Sequence, residues 1–162
     1  MMLVEMQRSQ FEALNDEELF LICTEPTVTR IRGRNLAVKS EAIAELNRGQ
    51  QALCMFRVLY PAQHSEADFE AWIAYLLEQP AYWKGVNDGL RFWGETALIQ
   101  LLEAARETLE AKERETLEED RAIIQSSIRS LFEKFRSQVQ SSLGHICLYI
   151  RSHPQEFVQL MA

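Results

Sequence analysis

Apolar residues recur at helical spacing along most of the chain and predict a series of α-helices. The stretch from Leu46 to Glu95 holds nine of the fifteen aromatic residues, including all three tryptophans. Because aromatic side chains bury the most surface per residue, this stretch is predicted to supply much of the core. A capping signal beginning at Ser65 opens one of its helices. The core face of that helix is predicted to be Phe69, Trp72, Ile73, Leu76 and Leu77.

Start and stop signals divide the first part of the chain. Asn15 and the acidic residues after it predict a helix N-terminus, since a capping side chain accepts free amide protons and acidic groups complement the helix dipole. Two short helices, or one bent one, are predicted to end at Pro26, because proline biases the residue before it out of the helical region. Asn35 is then predicted to cap a long helix over Leu36 to Tyr60.

A short turn is predicted between Pro80 and Gly85, with another helix starting near Asn87. Tyr82 and Trp83 lie in this turn, where large aromatic side chains are not automatically buried. An exposed pair would indicate contact with a ligand or partner, so both are candidate partner-contact residues. Simple packing against the adjacent core is the alternative.

The C-terminal third contains no glycine or proline between Gly94 and Gly144, a span of 49 residues. One straight helix of that length would measure about 74 Å, whereas a compact domain of this size is only about 40 Å across. A turn within Glu110 to Arg121 would give an antiparallel hairpin, which we favour. Its arms would be Gly94–Glu110 and Leu117–Leu143.

The alternative is a continuous helix that pairs with another subunit. Its seam would be Leu117, Ile124, Ile128, Leu131 and Phe135. In either case Gly144 is predicted to end the long element. A short helix is expected over His145 to Arg151, followed by a last turn that ends at Met161.

Composition fits one ordinary globular domain. The chain has 162 residues, of which 47% are hydrophobic and 25% are charged, and only six glycines and four prolines interrupt regular structure. We therefore predict a single helical domain over residues 1–162. The fold class is all-α, a bundle of about six or seven helices with a long C-terminal helix or helical hairpin.

Charge and cysteine usage narrow the function classes. The net charge of −7 argues against direct nucleic-acid binding, because phosphate contacts need a positive face. The three cysteines are far apart and each lies in an apolar run, which predicts reduced, buried thiols. There is no secretion signal at the N-terminus and no apolar run long enough for a membrane span. A cytoplasmic protein without membrane contact is the expectation.

Arg30, Arg32 and Arg34 form a basic cluster in an otherwise acidic chain. The β-branched residues around them and Gly33 predict an extended or loop segment over Thr27 to Lys39. Arginines before a helix N-terminus oppose its dipole, so an anion there would be stabilising. The three arginines are a candidate anion-binding site. Alternatively they pair with glutamates of neighbouring helices or point into solvent.

Motifs for catalysis, cofactors and metals are missing. The sequence has no HExxH, CxxC, GxSxG, phosphate-loop or dinucleotide-binding pattern. The three histidines are too scattered to indicate a metal site. We therefore predict no catalytic residue, cofactor or metal.

Two segments carry a resemblance to known proteins. ELNRGQQALCMFRVLYPA and WIAYLLEQPAYWKGVNDGLRFWGE resemble the small uncharacterised helical proteins common in bacilli and related bacteria. This resemblance covers about the middle half of the chain and implies a bacterial helical protein, with no activity attached. A fainter likeness is to the acidic helical family that includes a bacterial DNA-mimic protein. That family has Asn-Gly-Gly-Phe where this chain has Asn47-Arg48-Gly49-Gln50, so no functional residue is carried over.

The leading hypothesis is a non-enzymatic protein-interaction or regulatory protein that forms a homodimer. It rests on the missing catalytic motifs and on a helical stripe too long for a compact monomer. The alternative is a binder of a small anionic or phosphorylated ligand through the arginine-rich loop. A DNA-mimic function, which needs a patterned acidic surface, is the third.

Overall fold

Eight α-helices lie between two four-residue strands in residues 3–162, the part of the chain that the computed structural model describes. The strands and the first helices are β1 (Val4–Gln7), α1 (Arg8–Ala13), α2 (Asp16–Ile31), α3 (Leu36–Ala44) and α4 (Arg48–Leu59). The remaining elements are α5 (Glu66–Glu78), α6 (Pro80–Trp93), α7 (Thr96–Arg114), α8 (Glu118–Ser152) and β2 (Val158–Met161). The predicted all-α class is confirmed.

Asparagine and serine caps define where several helices begin. The side chain of Asn15 accepts a 2.8 Å hydrogen bond from the Glu18 amide, and the Glu18 carboxylate accepts one from the Asn15 amide, which makes a capping box. Asn35 and Ser65 cap α3 and α5, as predicted. Asn47 adds a start that the sequence analysis missed. The expected helix over Leu36 to Tyr60 is therefore wrong, and two helices take its place.

Helix α2 continues through Pro26, so the predicted helix end there is wrong. Proline removes one amide donor from the helix, and side chains bond to carbonyls just before it. The Thr24 hydroxyl donates to the Phe20 carbonyl at 3.0 Å, and the Arg57 guanidinium donates to the Leu21 carbonyl at 3.2 Å. The carbonyl left without an intrahelical donor is that of Ile22, four residues before Pro26, so these contacts hold the preceding turn and do not replace the missing hydrogen bond.

The C-terminal third is the predicted antiparallel hairpin, formed by α7 and α8 with a turn at Glu115–Leu117. At this turn the Glu115 carboxylate accepts from the Thr116 and Leu117 amides, at 3.0 and 3.1 Å. The alternative of one continuous helix is wrong, and two residues of its seam are not available to another subunit. Ile128 and Phe135 are 1% and 0% exposed because they pack into the core of the same chain.

Helix α8 runs for 35 residues, through Gly144 to Ser152. The predicted end at Gly144 and the separate short helix after it are therefore wrong. Gly144 faces α2, where a Cβ atom would lie 4.0 Å from the Asp16 carboxylate. The packing of α8 against α2 keeps the helix continuous at this glycine. A rule based on local propensity does not take such packing into account.

The core is drawn from more of the chain than the aromatic stretch. Five phenylalanines are at most 2% exposed, and only two of them lie between Leu46 and Glu95. They are Phe20, Phe56, Phe69, Phe135 and Phe157. The three tryptophans are only partly buried. The aromatic stretch therefore contributes to the core without dominating it.

The two strands pair in parallel, with Val4 opposite Val158 and Gln7 opposite Met161. This small sheet was not predicted. The last turn expected to end at Met161 is only a 3₁₀ turn over Pro154–Glu156, and β2 takes the place of the rest. Four-residue segments carry too little alternation to indicate a strand, and the pairing joins opposite ends of the chain. None of the helices in residues 3–162 is both long and apolar enough to cross a membrane.

Candidate functional site

A groove of about 660 Å³ opens between α3, α4 and α6. Its apolar lining residues are Leu36, Ile43, Ala44, Ala52, Met55, Ala81, Tyr82 and Phe92, with Gly85 and Gly89. Its polar lining residues are Ser40, Arg48, Gln51, Asp88 and Arg91. The groove is therefore mostly apolar, with a few polar groups.

Two glycines bring α6 close to α4 and form the floor of the groove. A Cβ atom on Gly89 would lie 3.3 Å from the Ala52 Cα atom, and one on Gly85 would lie 2.8 Å from the Met55 sulfur. Both distances are shorter than ordinary contacts, so only glycine allows this approach without displacing a neighbour. The one-turn spacing of the two glycines places them on the same face of α6.

The predicted turn between Pro80 and Gly85 is wrong, because this segment is the first part of α6. Pro80 occupies the first helical position, where its missing amide proton has no intrahelical partner in any case. Gly94, with a φ of 73°, ends the helix. The sequence analysis interpreted Pro80 as part of a turn between helices, whereas it is the first residue of α6.

Helix α3 forms the outer wall and is weakly embedded. It buries only Ala42, while Leu36 and Val38 are each 40% exposed. The Arg30 guanidinium, at the end of α2, forms a 2.9 Å ion pair with Glu45 just after α3. The groove is thus bounded on one side by a short helix with little buried surface.

The charged groups of the groove are unevenly paired. Lys84 and Arg91 donate to the Asp88 carboxylate at 2.6 and 2.8 Å, and the hydrogen bond from Lys84 is the main reason that the pKa of Asp88 is lowered. Arg48 begins α4, and its side chain forms no hydrogen bond or ion pair with any residue from 3 to 162. The groove therefore presents one guanidinium that is available to a ligand.

Of the two predicted partner-contact residues, only Tyr82 lines the groove. Its side chain is partly buried, and this burial raises the pKa of its phenol. Trp83 packs against the core outside the groove. Both lie within α6 instead of a turn, and their role as partner contacts stays a prediction.

The three arginines of the predicted anion site are not gathered around a cavity. Arg30 lies in the last turn of α2, because the predicted extended segment is helical as far as Ile31. Arg32 and Arg34 are exposed beside Gly33, whose φ of 74° forms the loop before α3. None of the three lines the groove. Anion binding by them stays a prediction.

The three cysteines are free and buried, as predicted. Burial raises the pKa of Cys23 and Cys147 to about 12 and that of Cys54 to about 11. Thiols with such pKa values are neutral at physiological pH, whereas nucleophilic cysteines need a thiolate. They serve as small core residues.

A buried carboxylate that the sequence analysis did not single out lies at the α6–α7 corner. Glu95 accepts a 2.7 Å hydrogen bond from the Ser142 hydroxyl, and its other oxygen lies 2.8 Å from the His145 Nδ1 atom. Ser142 is fully buried, so no substrate can reach its hydroxyl. The cluster fastens α8 to this corner. Within residues 3–162, no three His, Cys, Asp or Glu side chains are grouped to hold a metal ion.

Comparison with known proteins identifies no relative of this chain. No protein-family model, curated protein or solved structure matches the chain. The resemblance to small helical proteins of bacilli therefore stays a prediction. Function has to be inferred from the groove and its chemistry.

Proposed function

We propose that the protein is a non-enzymatic binding protein that receives its ligand in the groove between α3, α4 and α6. The observation that carries this proposal is a mostly apolar groove of about 660 Å³ with few polar groups. Ligand sites in proteins commonly have volumes of roughly 300–1,000 Å³ and this kind of lining. Leu36 and Phe92 extend the apolar surface to the rim, where both are exposed.

The composition of the groove favours binding over catalysis. Among the described residues that line it, Asp88 supplies the single carboxylate, and no histidine or cysteine is present. The Asp88 carboxylate is already bonded to Lys84 and Arg91. General acid–base or nucleophilic catalysis needs a reactive group beside a base or acid, and the lining offers no such pair.

Binding of a neutral, apolar dye tests the proposal. Nile red is expected to fluoresce on binding to the wild-type groove. Ser40→Trp places a large ring in the groove from the exposed face of α3 and is expected to abolish this signal. Ser141→Trp is the matched control, because Ser141 is an exposed helical serine outside the groove, and this variant should keep the signal. Equal dye binding by the two variants would contradict the proposal.

A partner protein, with a second copy as the simplest case, is the second candidate. The observation in its favour is the hairpin tip, where Leu117 and Ile123 are 63% and 66% exposed. Glu118, Glu119 and Asp120 lie between them and would repel their counterparts in a symmetric dimer. Light scattering of the wild type and of a Leu117→Glu, Ile123→Glu variant tests it. A monomeric wild type would rule out the dimer.

A further inference from the structure

We propose that the ligand of this groove is a small amphipathic anion, with a single apolar chain and one carboxylate or phosphate head. The head would bind Arg48, and the chain would lie along the floor formed by Gly85 and Gly89. This inference rests on the proposed function, because it names the chemical class that the same groove receives. Beyond the proposed function, the inference specifies the charge of the ligand and the orientation of its head and chain in the groove.

The charge of the groove is opposite to that of the whole protein. The chain has a net charge of −7, yet the charged groups that line the groove are Arg48, Asp88 and Arg91. Lys84 stands beside them and shares the Asp88 carboxylate with Arg91. The lining thus carries two guanidinium groups and one carboxylate. This local excess of positive charge is complementary to an anionic head group.

Arg48 is the part of the groove best suited to hold that head. It occupies the first position of α4, whose first turn contains no acidic residue. A cation at a helix N-terminus opposes the helix dipole, and an anion bound to the guanidinium would offset its charge. The Glu156 carboxylate already lies beside Gly49 in the same turn, so the guanidinium is the group left for a ligand. Arginine also offers a planar set of donors that matches carboxylate and phosphate oxygens.

The rest of the lining fits an apolar chain. The floor consists of glycines, Ala52 and Met55, which present no charge. The Gln51 amide nitrogen, one of the few polar groups, already donates to the Leu46 carbonyl at 2.9 Å. A chain on this floor would also cover Leu36 and Phe92 at the rim. Few polar groups are left for a second head, so one anionic end and one apolar body match the groove.

Displacement of Nile red by ten-carbon compounds with different heads tests the charge. We expect decanoate and decyl phosphate, used below their micelle-forming concentrations, to displace the dye at least tenfold more effectively than decanol or decyltrimethylammonium. Inorganic phosphate alone should displace none. Equal displacement by decanoate and decanol, or full displacement by inorganic phosphate, would overturn the proposal.

The role of Arg48 is tested with a matched arginine. Arg48→Gln is expected to weaken decanoate binding at least tenfold and to leave decanol binding unchanged, because only the anion contacts the guanidinium. Arg136→Gln is the control, since Arg136 is an exposed arginine of α8 outside the groove. Equal weakening by both variants would overturn the assignment of the head to Arg48.

Chain length provides a separate test of the apolar floor. From hexanoate to decanoate, each added methylene is expected to raise the affinity about fourfold, because each buries further apolar surface. Affinity independent of length would overturn the proposal, as would binding to vesicles of anionic lipid without binding to decanoate. If Nile red binds and Ser40→Trp removes it, the proposed function stands even where these head-group tests fail.

Discussion

The two sides of this molecule hold their helices by different means. On one side α5, α7 and α8 form a frame, where side chains such as Leu98, Phe135 and Val139 are fully buried. On the other side α3 buries a single alanine. Regions with few buried apolar contacts open at low free-energy cost, and ligand-binding elements are drawn from them. The groove of the proposed function lies on the side with less buried surface, while a shallow groove of about 740 Å³ between α7 and α8 lies on the frame.

Polar contacts show the same contrast. In the frame, the Lys112 ammonium of α7 donates to the Glu70 carboxylate of α5. It also donates to the Gln125 side chain of α8, at 2.7 Å. The Gln125 amide in turn donates to Glu66 at 2.9 Å. One partly buried network therefore joins three helices. Among the described residues, the polar link between α2 and α3 is the exposed Arg30–Glu45 ion pair near the end of α3.

The largest expected effect is the loss of an aromatic side chain from the frame. Phe135 is fully buried, with its ring centre 5.2 Å from that of Phe69. Phe135→Ala is expected to reduce the free energy of unfolding by about 3–5 kcal/mol, because it removes buried surface and leaves a cavity. Leu36→Ala on α3 should cost less than about 0.5 kcal/mol. Urea unfolding measures both, and equal losses would remove the contrast between the two sides.

An intermediate effect is expected at alkaline pH, from thiols packed between α2 and α8. The pKa of Cys147 is raised by burial from 9.0 to about 12. Because the unfolded chain loses this proton first, the thiol's contribution is complete below pH 9 and falls as the pH rises toward 12. At pH 10 the loss is on the order of 1 kcal/mol.

Cys147→Ser removes the ionisable thiol and keeps a donor for the Asp16 carbonyl, which the thiol now contacts at 3.3 Å. Its stability should therefore fall less than that of the wild type between pH 8 and pH 10. Other titrating groups are the same in both proteins, so the difference reports on this thiol. Parallel curves from chemical denaturation at each pH would contradict the assignment.

The smallest effects are expected from the ion pairs. A double-mutant cycle on Lys112 and Glu70, which are both about three-quarters buried, should give a coupling near 1 kcal/mol. The cycle on Arg30 and Glu45 should give less than about 0.5 kcal/mol, because water and salt screen exposed charges. A stronger coupling at Arg30 and Glu45 would mean that α3 is held more firmly than its burial indicates.

Sequence reasoning succeeded where the cause is local. Asn15, Asn35 and Ser65 each accept from an amide three residues later, so a short window of sequence contains the whole interaction. The hairpin turn followed from length, since an uninterrupted helix could not fit. Each of these inferences needed no knowledge of distant residues.

The errors arose where distant residues decide the outcome. Arg57 donates to a carbonyl of α2 from a position 36 residues away, and no local rule for Pro26 includes that contact. The groove was missed for the same reason. Its floor depends on the close approach of Gly89 to Ala52. The proposed role of Arg48 depends on its side chain having no hydrogen-bond or ion-pair partner among residues 3–162. The sequence indicated Arg30, Arg32 and Arg34 as anion ligands, whereas the proposal for the groove uses Arg48.

The parallel pairing of β1 with β2 has a mechanical consequence. Because the strands run in the same direction, a pull applied before Val4 and after Met161 drives them past each other along their length. The hydrogen bonds between them would then be loaded together in shear, instead of opening one after another. Eight residues at the two ends of the described chain thus act as a clamp that must yield before tension reaches the helices.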